Sequence, residues 1–355
     1  MNRFIIALTG LCAFSVVLLA SCDPPSPGQQ TTVSDGKPTV GVIACKSAPF
    51  WESVEFGAGN SADMNELQLH WQIISDTDDF DQQASAIHDL TIRRVKGIII
   101  ATQHELLLRD AVKRATDQGI HILMIDSPPR KHVENLLYPL SIVTTDQYHA
   151  GQLAADELAR QLEEKGRVAI IRYSPSSWKT ESREKGFLAQ IKNYPEIDVV
   201  GHDLYTGTDS RLAREKLTNF LRLYLRSGRS DLDGIFISEE STACEILFHL
   251  EQANLGTHIY FVAFGSDPRL ITGMLTYQID ALFVEKPVRM GQLAVDSMAE
   301  LLRGQTIATY IDSGVHCITI DNLSSPFSQA LLHPTTEISL EIQLNEFSDS
   351  VGSRP

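Results

Sequence analysis

The chain has 355 residues, of which 43% are hydrophobic and 21% charged, a size and composition typical of about two globular domains. It carries 30 Lys and Arg against 45 Asp and Glu, a formal net charge of −15, and no basic block stands out. These values exclude fibrous and wholly disordered classes. They also disfavour a nucleic-acid-binding protein, because such proteins neutralise phosphates with clustered basic residues.

The first 21 residues are typical of a secretory signal peptide. Arg3 precedes an apolar run that small and polar residues interrupt, which favours a signal over a membrane-spanning helix. The run ends in Leu19, Ala20, Ser21 and Cys22, which resemble a bacterial lipobox, where the Cys is lipidated and becomes the mature N-terminus. The alternative is an ordinary signal with an incidental Cys. We expect export to the periplasmic side of the cell envelope and a membrane anchor at Cys22.

Residues 22–37 are rich in Pro, Ser, Gly and Thr and are predicted to form a flexible tether. Beyond them the chain keeps Cys45, Cys244 and Cys317. An odd number of cysteines cannot all pair, and no Cys or His spacing typical of a metal site occurs. We interpret these cysteines as small buried residues and expect neither a metal nor a cofactor.

From residue 37, apolar runs alternate with amphipathic stretches. In the first half, strands are predicted over residues 39–45, 71–75, 97–101 and 122–125, and helices over 51–67, 80–94 and 105–118. The pattern then restarts, with strands over 142–144, 167–171, 199–203, 234–238, 259–264 and 281–284, and helices over 146–164, 180–192, 210–225, 241–252 and 287–302. This alternation predicts an α/β protein with two doubly wound parallel sheets. Ligands bind beyond the carboxyl ends of such strands, here the cleft between two lobes.

Several short stretches carry a resemblance to a known family. They are residues 48–51 (Ala-Pro-Phe-Trp), 96–100, 124–126 (Met-Ile-Asp), 145–147 (Thr-Asp-Gln), 182–187 (Ser-Arg-Glu-Lys-Gly-Phe) and 233–236. In order and spacing, residues 37–322 resemble the type I periplasmic sugar-binding proteins of the ribose, galactose and xylose group. The resemblance implies two Rossmann-like lobes joined by a three-strand hinge. It also implies a receptor that closes on a sugar and delivers it to the permease of an ABC importer.

Three crossovers between the lobes are expected, near Thr145, Glu285 and Asp312. The N-terminal lobe then takes residues 38–145 and 286–312, and the C-terminal lobe takes residues 146–285 and 313–322. Residues 323–355 form a C-terminal extension beyond the usual end of the family. Within it, residues 337–343 alternate between apolar and polar side chains, which predicts a short edge strand in an otherwise frayed tail.

Two aromatic residues follow the first strand. Phe50 and Trp51 lie where a ring could stack on the CH face of a sugar. The alternative is that both are ordinary core aromatics at the start of a helix. The family resemblance favours the sugar platform.

Asp126 ends the fourth strand, where its carboxylate would accept hydrogen bonds from two sugar hydroxyls. The alternative is that Asp126 caps the turn that follows. Ser127 is a weaker ligand candidate, since the family often has Arg at this place. Arg183 offers a planar fork of donors to ring and hydroxyl oxygens. Its alternative is a surface ion pair with Glu184 or Glu181.

Three further carboxylates are ligand candidates. Glu239 and Glu285 follow strands at positions where the family usually has amides or Asp, and the alternative for both is a favourable helix N-terminus. Asp267 either supplies a ligand carboxylate or caps the helix that begins at Pro268. The site candidates carry three negative charges, on Asp126, Glu239 and Glu285, against one positive charge on Arg183. This balance favours an amino sugar or another cationic solute as an open hypothesis.

No nucleophile, zinc-protease or P-loop motif occurs, so we expect a binding protein and not an enzyme, with no catalytic residues. A repressor of the related two-lobe type would need a DNA-binding domain where the signal peptide lies. The remaining alternative is a sensor subunit that presents its closed form to a membrane histidine kinase or chemoreceptor. In either role the protein is expected to be a monomer that binds a small polar solute and no nucleic acid.

Overall fold

A computed structural model describes residues 36–45, 49–74, 79–102, 107–127, 141–175, 177–202, 204–207, 209–226, 229–252, 255, 259–334 and 336–351. The predicted signal peptide, the lipobox with Cys22 and the tether up to residue 35 lie outside these residues. In the part of the chain that is described, no helix is both long enough and apolar enough to cross a membrane.

The strands follow one another in this order: β1 (Thr39–Cys45), β2 (Gln68–Ile74), β3 (Gly97–Ile100), β4 (His121–Ile125), β5 (Ser141–Thr144), β6 (Lys165–Ile171), β7 (Glu196–Val200), β8 (Leu225–Arg226), β9 (Arg229–Ser230), β10 (Gly234–Ile237), β11 (Tyr260–Phe264), β12 (Ala281–Glu285), β13 (Tyr310–Asp312) and β14 (Val315–Thr319). The helices are α1 (Pro49–Met64), α2 (Phe80–Ile92), α3 (Arg109–Thr116), α4 (Gln147–Gln161), α5 (Trp178–Gln190), α6 (Ser210–Tyr224), α7 (Glu240–Gln252), α8 (Pro268–Leu275), α9 (Pro287–Leu302), α10 (Pro326–Leu332) and α11 (Glu337–Val351). Strands and helices alternate through most of the chain, as the sequence predicts.

The strands form two six-stranded sheets and one small hairpin of β8 and β9. The first sheet has the order β13-β5-β4-β3-β1-β2 and is parallel throughout. The second has the order β14-β12-β11-β10-β6-β7, and only β14 runs antiparallel to its neighbour. We call each sheet with the helices packed on it a lobe. The predicted fold class, two doubly wound α/β lobes, is confirmed.

Both faces of each sheet are covered, which explains why its central strands are apolar without alternation. In β3, Ile99 packs into one core while Ile98 and Ile100 pack into the core on the opposite face. In β6, Ala169 and Ile171 face one core and Val168 and Ile170 the other. Each lobe therefore has its own two-sided core.

The chain passes between the sheets three times, from β5 to α4, from β12 to α9 and from β13 to β14. Helix α9 follows a strand of the second sheet but packs on α1, β3, β4 and β5 of the first lobe. Two of the crossovers are hydrogen-bonded to each other. The Thr145 and Ser313 hydroxyls lie 3.0 Å apart, and the Asp146 N–H donates to Asp312 Oδ1 at 2.8 Å.

The edge strand predicted for residues 337–343 is wrong, because these residues begin helix α11. The Thr336 hydroxyl accepts the Ser339 N–H and so caps the helix start. Gln343 is buried and donates its side-chain amide to the Ala330 carbonyl at 2.8 Å. Ile342 packs against the core of the second lobe. Helix α11 also contacts α9 and α1, so it touches both lobes.

Two free cysteines lie in the second lobe. Cys244 is buried in the core on α7, and Cys317 is partly buried on β14. Their burial agrees with the expected role of these residues as packing elements.

Candidate functional site

The candidate site lies where the carboxyl ends of β4 and β12 meet the first turn of α5. Asp126 directly follows β4 in the first lobe and has a left-handed backbone, with φ of 69°. Glu285 is the last residue of β12, at the crossover into α9. Strand ends at a crossover between parallel sheets are a usual ligand position in this architecture.

Arg183 on α5 lies at the centre of a buried hydrogen-bond network. Its Nη2 donates to Glu285 Oε1 at 2.8 Å, its Nε to Gln147 Oε1 at 2.7 Å, and its Nη1 to the Ser238 carbonyl at 2.9 Å. The guanidinium also stacks 4.0 Å from the centre of the Phe264 ring. Burial lowers the pKa of Arg183 below its usual value, and the charge of Glu285 opposes this effect. The network fixes the fork of donors in one orientation.

Lys179 lies one helical turn before Arg183 and reaches the first lobe. Its Nζ is 3.0 Å from Asp126 Oδ1, 3.5 Å from the Glu285 carboxylate and 5.7 Å from the centre of the Phe50 ring. Burial lowers the pKa of Lys179, but the attraction of Asp126 and Glu285 outweighs it and the pKa is raised. The Asp126–Lys179 ion pair therefore joins the two lobes, and the lysine in it keeps its positive charge at neutral pH.

Glu285 remains ionised for the same reason. Its burial raises the pKa, and the nearby charges of Lys179 and Arg183 lower it by more, so the net shift is downward. Gln147 donates its amide to Glu285 Oε1 at 2.6 Å, which also favours the carboxylate.

Close packing of two helices holds Gln147 and Arg183 in register. Gly151 on α4 lies against the Arg183 carbonyl, and Gly186 on α5 lies against the Tyr148 carbonyl, with no space for a Cβ atom at either glycine. This reciprocal contact lets the helix backbones touch. The first turn of α4 therefore places Gln147 beside Arg183.

The aromatic pair predicted as a sugar platform lies on the first-lobe side. Phe50 and Trp51 open α1, with ring centres 5.6 Å apart in an edge-on arrangement, and both are partly buried against the first-lobe core. Phe50 also faces Lys179 across the site. Ser127 is buried, and its hydroxyl donates to Asp126 Oδ2 at 3.3 Å. The structure thus places Phe50 and Ser127 at the cluster and packs Trp51 beside Phe50 against the first-lobe core.

Two of the predicted carboxylates act as helix caps in this structure. Glu239 accepts hydrogen bonds from the N–H groups of Ser241 and Thr242 at the start of α7, although its charge also acts on Arg183. Asp267 caps α8 and forms a 2.8 Å ion pair with Arg269, which lowers its pKa to about 2. Among the described residues, neither Glu239 nor Asp267 forms a hydrogen bond to the cluster of Asp126, Lys179, Arg183 and Glu285.

Sequence reasoning missed Lys179 and Gln147. Lys179 precedes Arg183 by four residues, the spacing of one helix face, and Gln147 was recognised only as part of a family stretch. The alternative of a surface ion pair for Arg183 does not describe the structure, since Glu184 pairs with Arg172 and Glu181 with Lys185.

The added lysine changes the charge of the site. Asp126 and Glu285 carry two negative charges, and Lys179 and Arg183 carry two positive charges at 2.8 to 3.5 Å from them. The cluster is therefore balanced, whereas the sequence alone indicated an excess of negative charge. Among the described residues, no group of three or more His, Cys, Asp or Glu could hold a metal ion.

Two α/β lobes, three crossovers and a buried polar cluster between strand ends define a two-lobed ligand receptor. The chain belongs to the periplasmic binding protein domain family, whose pattern matches residues 40–306. The family predicted from the sequence is thereby confirmed.

The chain aligns with individual relatives over nearly the full length of each relative. The ribose import binding protein of Bacillus subtilis is 23% identical over 314 residues, 86% of this chain and 96% of that protein. A solute-binding protein of an ABC transporter from Burkholderia graminis, solved with D-arabinose, is 27% identical with a TM-score of 0.65, covering 82% of this chain and 98% of its own. A solute-binding protein from Actinobacillus succinogenes, solved with D-allose, is 21% identical with a TM-score of 0.67. The match covers 80% of this chain and 98% of that protein. These relatives are binding proteins and not enzymes, in agreement with the sequence analysis.

Proposed function

We propose that this protein binds a monosaccharide between its lobes, at the cluster of Asp126, Lys179, Arg183 and Glu285 beside Phe50. The observation that carries this proposal is the cluster itself. Sugar hydroxyls both donate and accept hydrogen bonds, and the cluster supplies fixed charged acceptors and donors within a few ångströms of an aromatic face. Because donors come from one lobe and Asp126 from the other, a ligand at this place would contact both lobes.

The relatives favour a pentose or hexose as the ligand. One relative is a ribose import binding protein, and two others were solved with D-arabinose and D-allose bound. The balanced charge of the cluster favours the same class, because an uncharged solute leaves each carboxylate with its own cation. We further propose that the closed, sugar-bound form delivers its ligand to the permease of an ABC importer in the cell envelope.

A sugar screen tests the binding proposal. We expect at least one common aldopentose or aldohexose to raise the melting temperature and to change tryptophan fluorescence, since Trp51 lies beside the site. Ligand at 100 times its dissociation constant stabilises the folded state by about 2.7 kcal/mol. If no monosaccharide at millimolar concentration changes either signal, the proposed function is wrong.

Substitutions locate the site. Asp126→Asn and Arg183→Lys keep the size or the charge of the side chain but remove a charged acceptor or the planar fork, so we expect at least about tenfold weaker sugar binding from each. Arg214→Lys is the matched control, because Arg214 is an exposed residue of the same lobe paired with Glu245. Isothermal titration measures all three. Unchanged affinity in both cluster variants would place the ligand elsewhere.

We also propose that the mature protein is anchored through lipidated Cys22, on the basis of the Leu19, Ala20 and Ser21 that precede it. Cys22→Ala is expected to abolish incorporation of radioactive palmitate and to remove the protein from the membrane fraction. Cys12→Ala is the matched control, since Cys12 would leave with the signal peptide. Wild-type labelling in the Cys22→Ala variant would contradict the anchor.

A further inference from the structure

The ammonium group of Lys179 occupies a small cage within the site. Two carboxylates, Asp126 at 3.0 Å and Glu285 at 3.5 Å, face the Nζ atom, and the Phe50 ring lies on another side with its centre at 5.7 Å. Carboxylates together with an aromatic face are the surroundings in which proteins recognise an ammonium ion. The site therefore contains an ammonium subsite that the chain fills with its own side chain.

We propose that Lys179 is a specificity-determining residue that makes the site select uncharged sugars and reject amino sugars. The inference rests on the proposed function, since it takes the ligand to be a monosaccharide at this cluster. With Lys179 in place, a protonated amine on the ligand meets a cation where it would need an anion. A hydroxyl at the same position instead accepts a hydrogen bond from the ammonium or donates to a carboxylate.

The surroundings of Lys179 hold it in this position. Lys179 belongs to the first turn of α5, which Ser177 caps and which the contacts of Gly151 and Gly186 fix against α4. The lysine side chain is 28% exposed, and those of Asp126 and Glu285 are 18% and 13% exposed. Moving the ammonium into solvent would leave a largely buried Asp126 carboxylate without its cation, which is unfavourable.

The two cations of the site have different partners. Arg183 is bonded to Glu285 at 2.8 Å and to Gln147 and the Ser238 carbonyl, so it already neutralises Glu285. Asp126 has only Lys179 as an ion-pair partner among the described residues. Removal of the Lys179 charge therefore gives the site one net negative charge, centred on Asp126, and opens the cage to a ligand amine.

The experiment compares the binding of each neutral sugar with that of the corresponding amino sugar. Dissociation constants are measured by titration calorimetry for each neutral monosaccharide that binds in the sugar screen and for its amino-sugar counterpart, such as D-glucose with D-glucosamine or D-galactose with D-galactosamine, at a pH where the amines are protonated. We expect the wild type to bind the neutral sugar of a pair more tightly. In Lys179→Met the ratio of the two constants should shift towards the amino sugar by at least about tenfold, the effect of one screened charge at this distance.

Two variants control for charge and for the helix. Lys179→Arg keeps the cation and should retain the wild-type preference. Lys185→Met removes an exposed lysine from the same helix, one that pairs with Glu181 at the surface, and should leave both constants unchanged. Circular dichroism and the melting temperature of each variant show that it is folded. If Lys179→Met does not fold, Lys179→Gln replaces it.

The outcomes separate the inference from the proposed function. The role of Lys179 is overturned if the wild type binds the amino sugars more tightly than the neutral ones. It is also overturned if Lys179→Met keeps the wild-type ratio of the two dissociation constants. In both cases the proposed monosaccharide site stands. Failure of the wild type and of all variants to bind any sugar, neutral or amino, overturns the proposed function and the inference with it.

Discussion

Gly186 lies where α5 crosses α4, and Gly186→Ala tests how closely the two helices pack. A Cβ atom at this position would lie 2.8 Å from the carbonyl carbon of Tyr148 and 3.2 Å from its Cα, and closer still to the carbonyl oxygen. Because these atoms belong to a helix backbone, no side-chain rotation relieves the overlap. Helix α5 would have to withdraw from α4.

Two opposing terms set the size of the effect. Alanine is favoured over glycine inside a helix by about 1 kcal/mol. Overpacking costs about 1–3 kcal/mol, and withdrawal of α5 also loosens the stacked pair of Phe187 and Phe236, whose ring centres are 4.1 Å apart. The overpacking cost, plus about 0.5–1.5 kcal/mol for the weakened ring pair and less the gain from alanine, gives a net loss of about 1–3 kcal/mol in the free energy of unfolding. Sugar affinity should fall as well, because the contact positions Arg183 beside Gln147.

Gly59→Ala is the matched control. Gly59 lies inside α1, and an added Cβ atom there meets no heavy atom within 4 Å. The same substitution should therefore stabilise the protein by about 0.5–1 kcal/mol. Urea unfolding followed by circular dichroism measures both variants against the wild type. Equal stability of Gly186→Ala and Gly59→Ala would refute the close approach of α4 and α5.

The other predictions concern the C-terminal helices and pH. Ile342→Ala should lower the free energy of unfolding by about 1–2 kcal/mol, because Ile342 packs on the second-lobe core, while Ile338→Ala, at a residue 71% exposed, should change it by less than about 0.5 kcal/mol. Equal effects in urea unfolding would contradict the packing of α11. Burial and the neighbouring Lys286 lower the pKa of His316 to about 4, below an unfolded value of about 6.5. As the pH falls through this window the unfolded chain binds the proton first, so stability should be highest above pH 6.5 and decline towards pH 4 by up to about 2 kcal/mol. His316→Gln should flatten this part of the profile, and an unchanged slope would exclude His316 as its source.

The sheets could be predicted because their strands are buried on both faces. Short apolar runs such as Gly97–Ile100 and Gly234–Ile237, which are buried along their whole length, are typical of parallel strands covered on both faces. Residues 337–343 were mispredicted because a short alternating stretch also places Ile338 and Ile342 four residues apart, on one helix face. Contact with α10, which no local pattern encodes, decides between the two structures.

The site was predictable only in part. Asp126, Arg183 and Glu285 could be located because they follow strands or family stretches. The capping roles of Glu239 and Asp267 depend on where α7 and α8 begin, and the sequence left both alternatives open. Lys179 contacts Asp126 from the opposite lobe, a distance of 53 positions along the chain. Its role depends on how the lobes meet, which spacing along one strand or helix does not reveal.

The buried cysteines have a consequence for the chemistry of a protein in the periplasm, where exposed thiols are oxidised. Burial raises the pKa of Cys244 and that of Cys317 to about 12. At pH 7 only about one such thiol in 10⁵ is the reactive thiolate. The low thiolate fraction and the burial of both residues therefore slow their oxidation while the fold is intact. Unfolding exposes both thiols and removes the burial that raises their pKa, so intermolecular disulfides formed through these two residues would report the loss of native structure.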